Sequence, residues 1–397
     1  MPDFMNSKNG LSDELKKSAG WTTLLTLLFF LLYREGNTIP DMVIALPFFI
    51  LLYYFFFSIG RPEISARIHG WIGKDLIKAV IFPAILMTLY ISYILLNGQN
   101  PTHGVVALIP YLIIFPLLLF AANRRKVKKI TWIDFTAFVL YLLPTLFIEV
   151  KPAGNLPFHG NDFESIYRIS FILSAVYAFV NIRGLTDVGF FPVFNLKYLW
   201  TAIWVWFAFY LFVVIVGYNV NFIKFVGHQI IDHALLHKII LTLIATFFHT
   251  AIFEELFFRG ILLNMLTKRI GQSKSWKIFW YCGLIAAIPL ALVVGYTLKG
   301  GMQWFPALMS VLIFTAAFLI EKGGKQQSGV FTGLAITSVI FGLVHYHSHA
   351  IIYIGFACVA GWAYGYTWLK TKNVFYSAIV HTLVNSSVLI FGLEFIK

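Results

Sequence analysis

The sequence predicts an all-α, polytopic integral membrane protein built as a helical bundle. Of its 397 residues, 59% are hydrophobic and only 12% are charged, whereas a soluble domain carries about 25% charged residues. The apolar residues form continuous runs of roughly the 20 residues that a membrane helix needs, not the short alternating segments of a membrane β-barrel. The net charge of +13 comes from Lys and Arg in alternate loops, a pattern typical of membrane proteins. Nucleic acid is therefore not expected as a partner.

The apolar runs predict about 12 or 13 transmembrane helices. The first, Trp21–Tyr33, is short and could instead lie at the membrane interface. The remaining predicted spans are Val43–Ile59, Ala79–Asn97, Gly104–Ala122, Thr131–Ile148, Ile169–Val180, Tyr198–Val216, Lys238–Met265, Lys277–Leu298, Trp304–Ile320, Gly329–Tyr346, Ile351–Leu369 and Phe375–Phe395.

The loops between these spans alternate in charge. The loops rich in Lys and Arg are Arg61–Lys78, Asn123–Lys129, Thr267–Lys277, Lys322–Ser328 and Lys370–Asn373. The loops between them are mostly neutral. Because basic loops stay in the cytoplasm, we expect the amino terminus inside and the carboxyl terminus outside.

A long polar stretch, Lys151–Arg168, suggests a boundary between two modules because it is rich in Pro, Gly, Asn and Asp. We expect residues 1–150 to form an amino-terminal multi-span membrane module, to which the sequence assigns no role. Residues 165–397 would form the second module.

Three charged residues interrupt one of the most apolar spans. Glu254, Glu255 and Arg259 lie in the segment FEELFFRG, where each charge costs roughly 2.5–3.5 kcal/mol to insert. Successive helical residues advance by about 100°, so the two glutamates point to different sides, and Arg259 shares the face of Glu255. A buried Glu255–Arg259 pair that only orients helices would explain two of the charges. It would leave Glu254 unexplained.

Two further spans carry polar residues at helical spacing. Phe341 and His345 are four residues apart, and so are His381 and Asn385. A histidine and an amide inside a membrane span need polar partners. His345 could simply open a polar loop, and His381 could form an interhelical hydrogen bond. Cys282 and Cys358 both lie in apolar runs and form no metal-binding pattern.

The three motifs together, E-E-x-x-x-R, F-x-x-x-H and H-x-x-x-N, resemble those of the CAAX protease and bacteriocin-processing family of intramembrane glutamic endopeptidases, which includes the Ras-converting enzymes. The likeness covers about Lys238 to Val388. Relatives usually place the second motif about 35 residues after the first, whereas about 90 residues intervene here. We therefore predict that 270–325 is an inserted two-span hairpin within a protease core at 165–397.

The resemblance implies roles for six residues. Glu254, helped by His345, would activate a water, while His381 and Asn385 would stabilise the oxyanion. Glu255 and Arg259 would hold the site in shape. The family mechanism uses no cofactor and no metal, although Glu254, His345 and His381 are also residue types that bind zinc.

The substrate expected from the resemblance is a membrane-bound peptide or protein, cut at a peptide bond near the bilayer. It could be a CAAX-type carboxyl terminus or a leader peptide, and we expect it to approach laterally or from the basic side. Short loops suggest a prokaryotic inner membrane. A proton-coupled transporter is one alternative, since intramembrane carboxylates and histidines also form proton relays. A non-catalytic scaffold or immunity factor is another.

The enzyme hypothesis depends on the three motifs meeting. Counted along their spans, Glu254, His345 and His381 differ in depth by roughly 15 Å at 1.5 Å per residue. Tilted or irregular helices would be needed to bring them together.

Overall fold

The computed structural model describes residues 10–33, 38–124, 129–147, 165–228, 232–273, 275–298, 301–324, 328–348 and 350–396. The chain divides into two compact units. The first contains Met1–Val193 and Ile244–Phe253, and the second contains Phe194–Leu243 and Glu254–Lys397. Most of the polar stretch 151–168 lies outside the described residues, so the predicted division into modules at this stretch stays a prediction.

Nine helices in the described part of the chain are long and apolar enough to cross a membrane. This confirms the prediction of a polytopic helical bundle. The nine are Ile39–Ser58, Leu76–Leu96, Thr102–Asn123, Leu196–Asn219, His233–Gly271, Trp276–Thr297, Phe305–Gly323, Val330–His347 and Val374–Phe391. Four other predicted spans are helical but fall short of this length or apolarity. The count of 12 or 13 therefore stays a prediction.

The helices before Val193 have the following bounds: α1 Leu11–Tyr33, α2 Ile39–Ser58, α3 Pro62–Ile72, α4 Leu76–Leu96, α5 Thr102–Ile109, α6 Phe115–Arg124, α7 Trp132–Phe147 and α8 Ile166–Val176. A π-helical turn, Pro110–Ile114, joins α5 to α6, and another, Tyr177–Ile182, follows α8. Polar residues start several of these helices. At α4, for example, the Asp75 carboxylate accepts hydrogen bonds from the first free backbone N–H groups.

Buried ion pairs tie helices of the first unit together. Arg61 contacts Glu14 at 2.8 Å, and both side chains are buried. Asp134 is fully buried. It accepts a hydrogen bond from the Thr131 backbone N–H and pairs with Arg183. Asp134 therefore caps α7 and fixes Arg183.

The helices after Val193 have the following bounds: α9 Leu196–Asn219, α10 His233–Ala245, α11 Ile252–Glu255, α12 Asn264–Gly271, α13 Trp276–Thr297, α14 Phe305–Gly323, α15 Val330–Leu343, α16 Ile351–Thr371 and α17 Val374–Phe391. Strands β1, Ile223–Phe225, and β2, Leu393–Phe395, pair antiparallel, with Ile223 opposite Phe395. Helices α15 and α16 run antiparallel and pack closely. A Cβ at Gly361 would lie only 2.8 Å from the Ser338 Cα atom, so a side chain there would push the helices apart.

Helices α13 and α14 correspond to the segment 270–325 that is predicted to be an insertion. The Trp280 indole N–H donates to the Phe314 carbonyl oxygen at 2.8 Å, which joins the two helices. Near the end of α14, the buried Glu321 carboxylate accepts from the backbone N–H groups of Gly329 at 3.0 Å and Phe331 at 2.7 Å. Glu321 thus caps the amino terminus of α15. The hairpin thereby helps to position the helix that carries Phe341.

Replacing Glu321 should weaken this junction. In Glu321→Ala, two buried N–H groups lose their acceptor, at a cost of about 1–3 kcal/mol for such a group. We expect a lower apparent melting temperature in detergent, measured by intrinsic fluorescence. Lys322→Ala changes the exposed neighbouring residue and should shift stability by less than about 0.5 kcal/mol. Equal melting temperatures for the two variants would contradict a capping role for Glu321.

Candidate active site

The two glutamates lie in an irregular part of a long helix. Helix α11, which carries Glu254 and Glu255, is a single α-helical turn between two π-helical stretches, Thr246–Ala251 and Leu256–Leu263. Wide π-helical turns are uncommon and often occur at functional sites. The continuous helix His233–Gly271 has 39 residues, about twice the length needed for one crossing. Residue counts from its end therefore do not measure the depth of Glu254.

Glu255 is the most fully paired charge of the site. Its side chain is 0% exposed. Its Oε1 accepts from Arg259 Nη1 at 2.9 Å and lies 2.9 Å from His381 Nδ1. The Ser377 hydroxyl lies 2.7 Å from Glu255 Oε2. Because these partners come from its own helix and from α17, Glu255 joins the first and third motifs.

Arg259 is held among aromatic rings. Its guanidinium carbon lies 4.2 Å from the centre of the Phe341 ring and 5.1 Å from that of Tyr364. Its Nη2 donates to the Gly361 carbonyl oxygen at 3.2 Å. Contacts of a cation with ring faces stabilise it away from water. Arg259 therefore connects α15 and α16 to the buried Glu255 carboxylate.

His345 lies just past the end of α15, in the 3₁₀ turn Val344–Ser348. Its Nδ1 is 2.7 Å from the carbonyl oxygen of Phe341. A carbonyl oxygen can only accept, so Nδ1 carries the proton of this hydrogen bond. Its Nε2 lies 3.9 Å from Glu254 Oε2.

His381 is held in the same way. Its ring stacks on Tyr364, with 4.6 Å between ring centres and 15° between the planes. Its Nδ1 faces the Glu255 carboxylate, which accepts a hydrogen bond. Its Nε2 lies 4.0 Å from Glu254 Oε2. Both imidazoles therefore present Nε2 to the same carboxylate oxygen.

Glu254 is positioned differently from Glu255. Its side chain is 23% exposed, yet Oε2 is buried and has no hydrogen-bond partner in the described part of the chain. Distances of 3.9 and 4.0 Å to the two Nε2 atoms are too long for direct hydrogen bonds and suit a bridging water. The structure thus brings Glu254, Glu255, Arg259, His345 and His381 together despite the depths estimated from the sequence.

Asn385 lies one turn beyond His381 on α17 and is exposed. It lines a cavity of about 170 Å³ together with His345 and His381. This volume is on the order of ten times the roughly 10–15 Å³ that one water needs. The rest of the lining is mainly aromatic and aliphatic. The cavity can therefore admit part of a peptide beside the polar cluster, with the Asn385 amide on its wall.

Sequence reasoning missed three residues around the site. Ser377 contacts Glu255, Tyr364 stacks on His381, and the Tyr353 ring centre lies 5.9 Å from that of His345. The spacing of Ser377, His381 and Asn385 at intervals of four was a usable signal. Nothing local marks the two tyrosines, because their roles depend on the packing of α16.

Comparison with known families agrees with this geometry. The family described as Type II CAAX prenyl endopeptidase Rce1-like matches residues 236–324 and 317–387. Residues 236–387 are therefore similar to this family of CAAX endopeptidases. All six candidate site residues lie in the matched part of this integral membrane protein. No curated protein and no solved structure matches the chain.

The Glu255–Arg259 pair should be energetically coupled. Either Glu255→Gln or Arg259→Leu leaves one buried charge without compensation, at a cost of about 3–5 kcal/mol. The double variant removes both charges, so it should be destabilised by clearly less than the sum of the two. Unfolding of all four proteins in detergent measures this coupling. Additive effects would show that the two side chains act independently.

Proposed function

We propose that the protein is an intramembrane endopeptidase that hydrolyses a membrane-proximal peptide bond. Within this proposal, Glu254 activates a water with the help of His345, and His381 and Asn385 stabilise the oxyanion. The observation that supports it best is the partner-free Oε2 of Glu254, 3.9 and 4.0 Å from two Nε2 atoms. Amide hydrolysis needs an activated water, a base and an oxyanion donor, and this arrangement supplies groups for each.

The hydrogen bonds of the two histidines limit where protons can lie in the site. Both Nδ1 atoms donate, to the Phe341 carbonyl and to Glu255. Neutral imidazoles would therefore offer only acceptors at Nε2. With ionised Glu254, a bridging water would face three acceptors and has two protons to donate. We propose that one further proton resides on the cluster, so that the water meets two acceptors and one donor.

His381 is well placed to hold that proton. Its Nδ1 faces the buried Glu255 carboxylate at 2.9 Å. With Nε2 protonated, His381 can donate to the oxyanion that forms on the substrate carbonyl. Glu254 then takes the proton from the attacking water, and His345 orients that water through Nε2. Arg259 limits the net negative charge around Glu255.

Asn385 can act as a second oxyanion donor. Its amide is exposed on the cavity wall one turn from His381, and the described part of the chain shows no hydrogen bond to it. Loss of one oxyanion donor typically costs about 10²–10³ in kcat.

The substrate we propose is a membrane-bound peptide or protein whose apolar residues fit the cavity beside the polar cluster. A CAAX-type carboxyl terminus and a leader peptide both meet this description. We further propose that residues 165–397 form the protease core, in which 270–325 is an insertion, and that residues 1–150 form a separate membrane module. We place the protein in a prokaryotic inner membrane.

Glu254 is the residue on which hydrolysis should depend most. Glu254→Gln removes the base while nearly preserving shape, so we expect about 10²–10⁴-fold slower cleavage. The measurement uses purified protein and a panel of quenched fluorescent peptides. Glu394→Gln, in the exposed strand β2, is the matched control and should retain activity. Activity unchanged in Glu254→Gln would contradict the proposed base.

The same assay separates a metal-free mechanism from a metal-dependent one. In a tetrahedral zinc site with bonds of about 2.0–2.1 Å, ligand atoms lie about 3.3–3.4 Å apart, closer than the 3.9 and 4.0 Å seen here. We expect cleavage to survive a strong chelator. Loss of activity with chelator, restored by added zinc, would assign Glu254, His345 and His381 to a metal site instead.

His381 should contribute by donating a hydrogen bond to the oxyanion. We expect His381→Ala to slow cleavage of the peptide panel by about 10²–10³-fold, the typical cost of losing one oxyanion donor. An unchanged rate would argue against this assignment.

A further inference from the structure

We propose that the active site opens toward the non-cytoplasmic face of the membrane and takes apolar peptide segments presented on that face. This deepens the proposed proteolytic function and rests on it. It also differs from the sequence-based expectation that substrate approaches laterally or from the basic side. All residues that support this orientation belong to the second unit.

One end of the second unit is strongly basic. The turn between α16 and α17 contains Lys370 and Lys372, and α12 ends with Lys268 and Arg269. The start of α13 and the end of α14 reach the same end, because Trp276 and Glu321 both approach Gly329 at the start of α15. These two helix ends carry Lys277 and Lys322.

Helix α9 has the same orientation as α17. The Tyr376 hydroxyl, in the first turn of α17, accepts from the Asn195 backbone N–H at 2.7 Å and lies 3.1 Å from its carbonyl oxygen. Asn195 caps the start of α9, so Lys197 belongs to the basic end as well. Seven described Lys and Arg residues lie at this end, and its acidic residue, Glu321, is engaged with backbone N–H groups.

The opposite end is nearly neutral in the described residues. It includes β1 and β2, where Lys224 and Glu394 form an exposed pair at 2.7 Å. The chain from β1 into α10 adds Asp232 and Lys238. Basic charge is retained on the cytoplasmic side of membrane proteins. The end with Lys370 is therefore cytoplasmic, and the end with the two strands is not.

The cavity extends from the polar cluster toward the strand end. On α17 its lining begins at His381 and continues through Asn385 to Val388, away from Lys372. On α9 the lining residues, such as Val213, lie in the second half of the helix. Phe222 and Phe395, which flank the strands, also line it, with 5.0 Å between their rings.

His345 supports the same direction. It lies in the turn that follows α15, at the end of that helix farther from Glu321. Tyr353, in the first turn of α16, lines the cavity beside it. No cavity-lining residue comes from the basic turn at Lys370 or from the first turn of α17. The cavity beside His345 and His381 therefore extends toward the less basic end, and we infer that a peptide enters from there.

The substrate class follows from this orientation. The occupant is an extended segment with apolar side chains, since aromatic and aliphatic residues dominate the cavity lining. This segment lies next to the outer end of a membrane anchor or enters from the outer leaflet. Prenylated carboxyl termini are exposed on the cytoplasmic leaflet, so they would meet the basic end, away from the direction in which this cavity extends. We therefore favour exported or membrane-anchored peptides over cytoplasmic prenyl proteins.

Cysteine accessibility tests the orientation without any need for proteolysis. In a Cys282→Ser, Cys358→Ala background, Lys224→Cys and Glu394→Cys report the strand end, while Lys370→Cys and Lys277→Cys report the basic end. All four native side chains are exposed, and three of the four changes are the same Lys→Cys substitution. We expect a membrane-impermeant maleimide to label the first two in intact cells and the other two only after permeabilisation. The reverse pattern would overturn the proposal.

Cleavage in sealed vesicles tests the substrate side. Purified protein that cleaves a fluorescent peptide in detergent is reconstituted into sealed vesicles. Labelling of Lys224→Cys with the impermeant maleimide then measures the fraction of molecules whose strand end faces outward. Cleavage of peptide added outside should track that fraction and vanish in Glu254→Gln. Cleavage that tracks the fraction with Lys370 outward would overturn the proposal while leaving the protease assignment intact. If detergent-solubilised protein cleaves nothing in the panel, the proposed function and the substrate class fall, and labelling alone decides the orientation.

Discussion

A fully buried carboxylate, that of Glu255, is the group on which the site depends. A charge away from water is tolerated only when its lone pairs are used and its charge is balanced. Glu255 meets both conditions through Arg259, His381 and Ser377. Arg259 comes from the same helix as Glu255, while Ser377 and His381 lie one turn apart on α17. Satisfying this one group therefore fixes the relative position of the helices that carry the first and third motifs.

Helix geometry keeps the adjacent Glu254 out of the network around Glu255. Successive residues on a helix point about 100° apart, so Glu255 can be buried in the ion-pair network while Glu254 points toward the Nε2 atoms of His345 and His381. The second motif is joined through Arg259, whose guanidinium lies over Phe341, one turn before His345. The close contact of α15 with α16 at Gly361 supports this arrangement, since the same glycine provides a carbonyl oxygen to Arg259. The polar network and the apolar packing thus stabilise the same geometry.

The helices also give the site a direction. His345 lies in the turn at one end of α15, while Glu321 caps the other end. The basic residues gather at the Glu321 end, and the two short strands lie at the end toward which the cavity extends. Catalytic chemistry and membrane orientation are consequently linked through the same helices. Glu321, near the end of α14, caps the end of α15 that lies away from His345.

Much of this could be predicted from the sequence, because apolar runs and periodic polar residues are local signals. Composition and run length predicted a helical membrane protein, and the spacing of Glu255 and Arg259 predicted their pairing on one face. The three motifs predicted the polar cluster. Depth was not predictable: π-helical turns, a 39-residue helix and a 3₁₀ turn break the simple relation between residue number and height. The buried Asp134–Arg183 pair, the stacking of Tyr364 on His381 and the course of the cavity also depend on residues that are distant in sequence.

What the sequence by itself determined is the helical membrane class and the identity of the polar residues, since both follow from local chemistry. Only the tertiary structure decided which atoms of those residues face each other and which end of the bundle the site faces, because both depend on how separate helices pack.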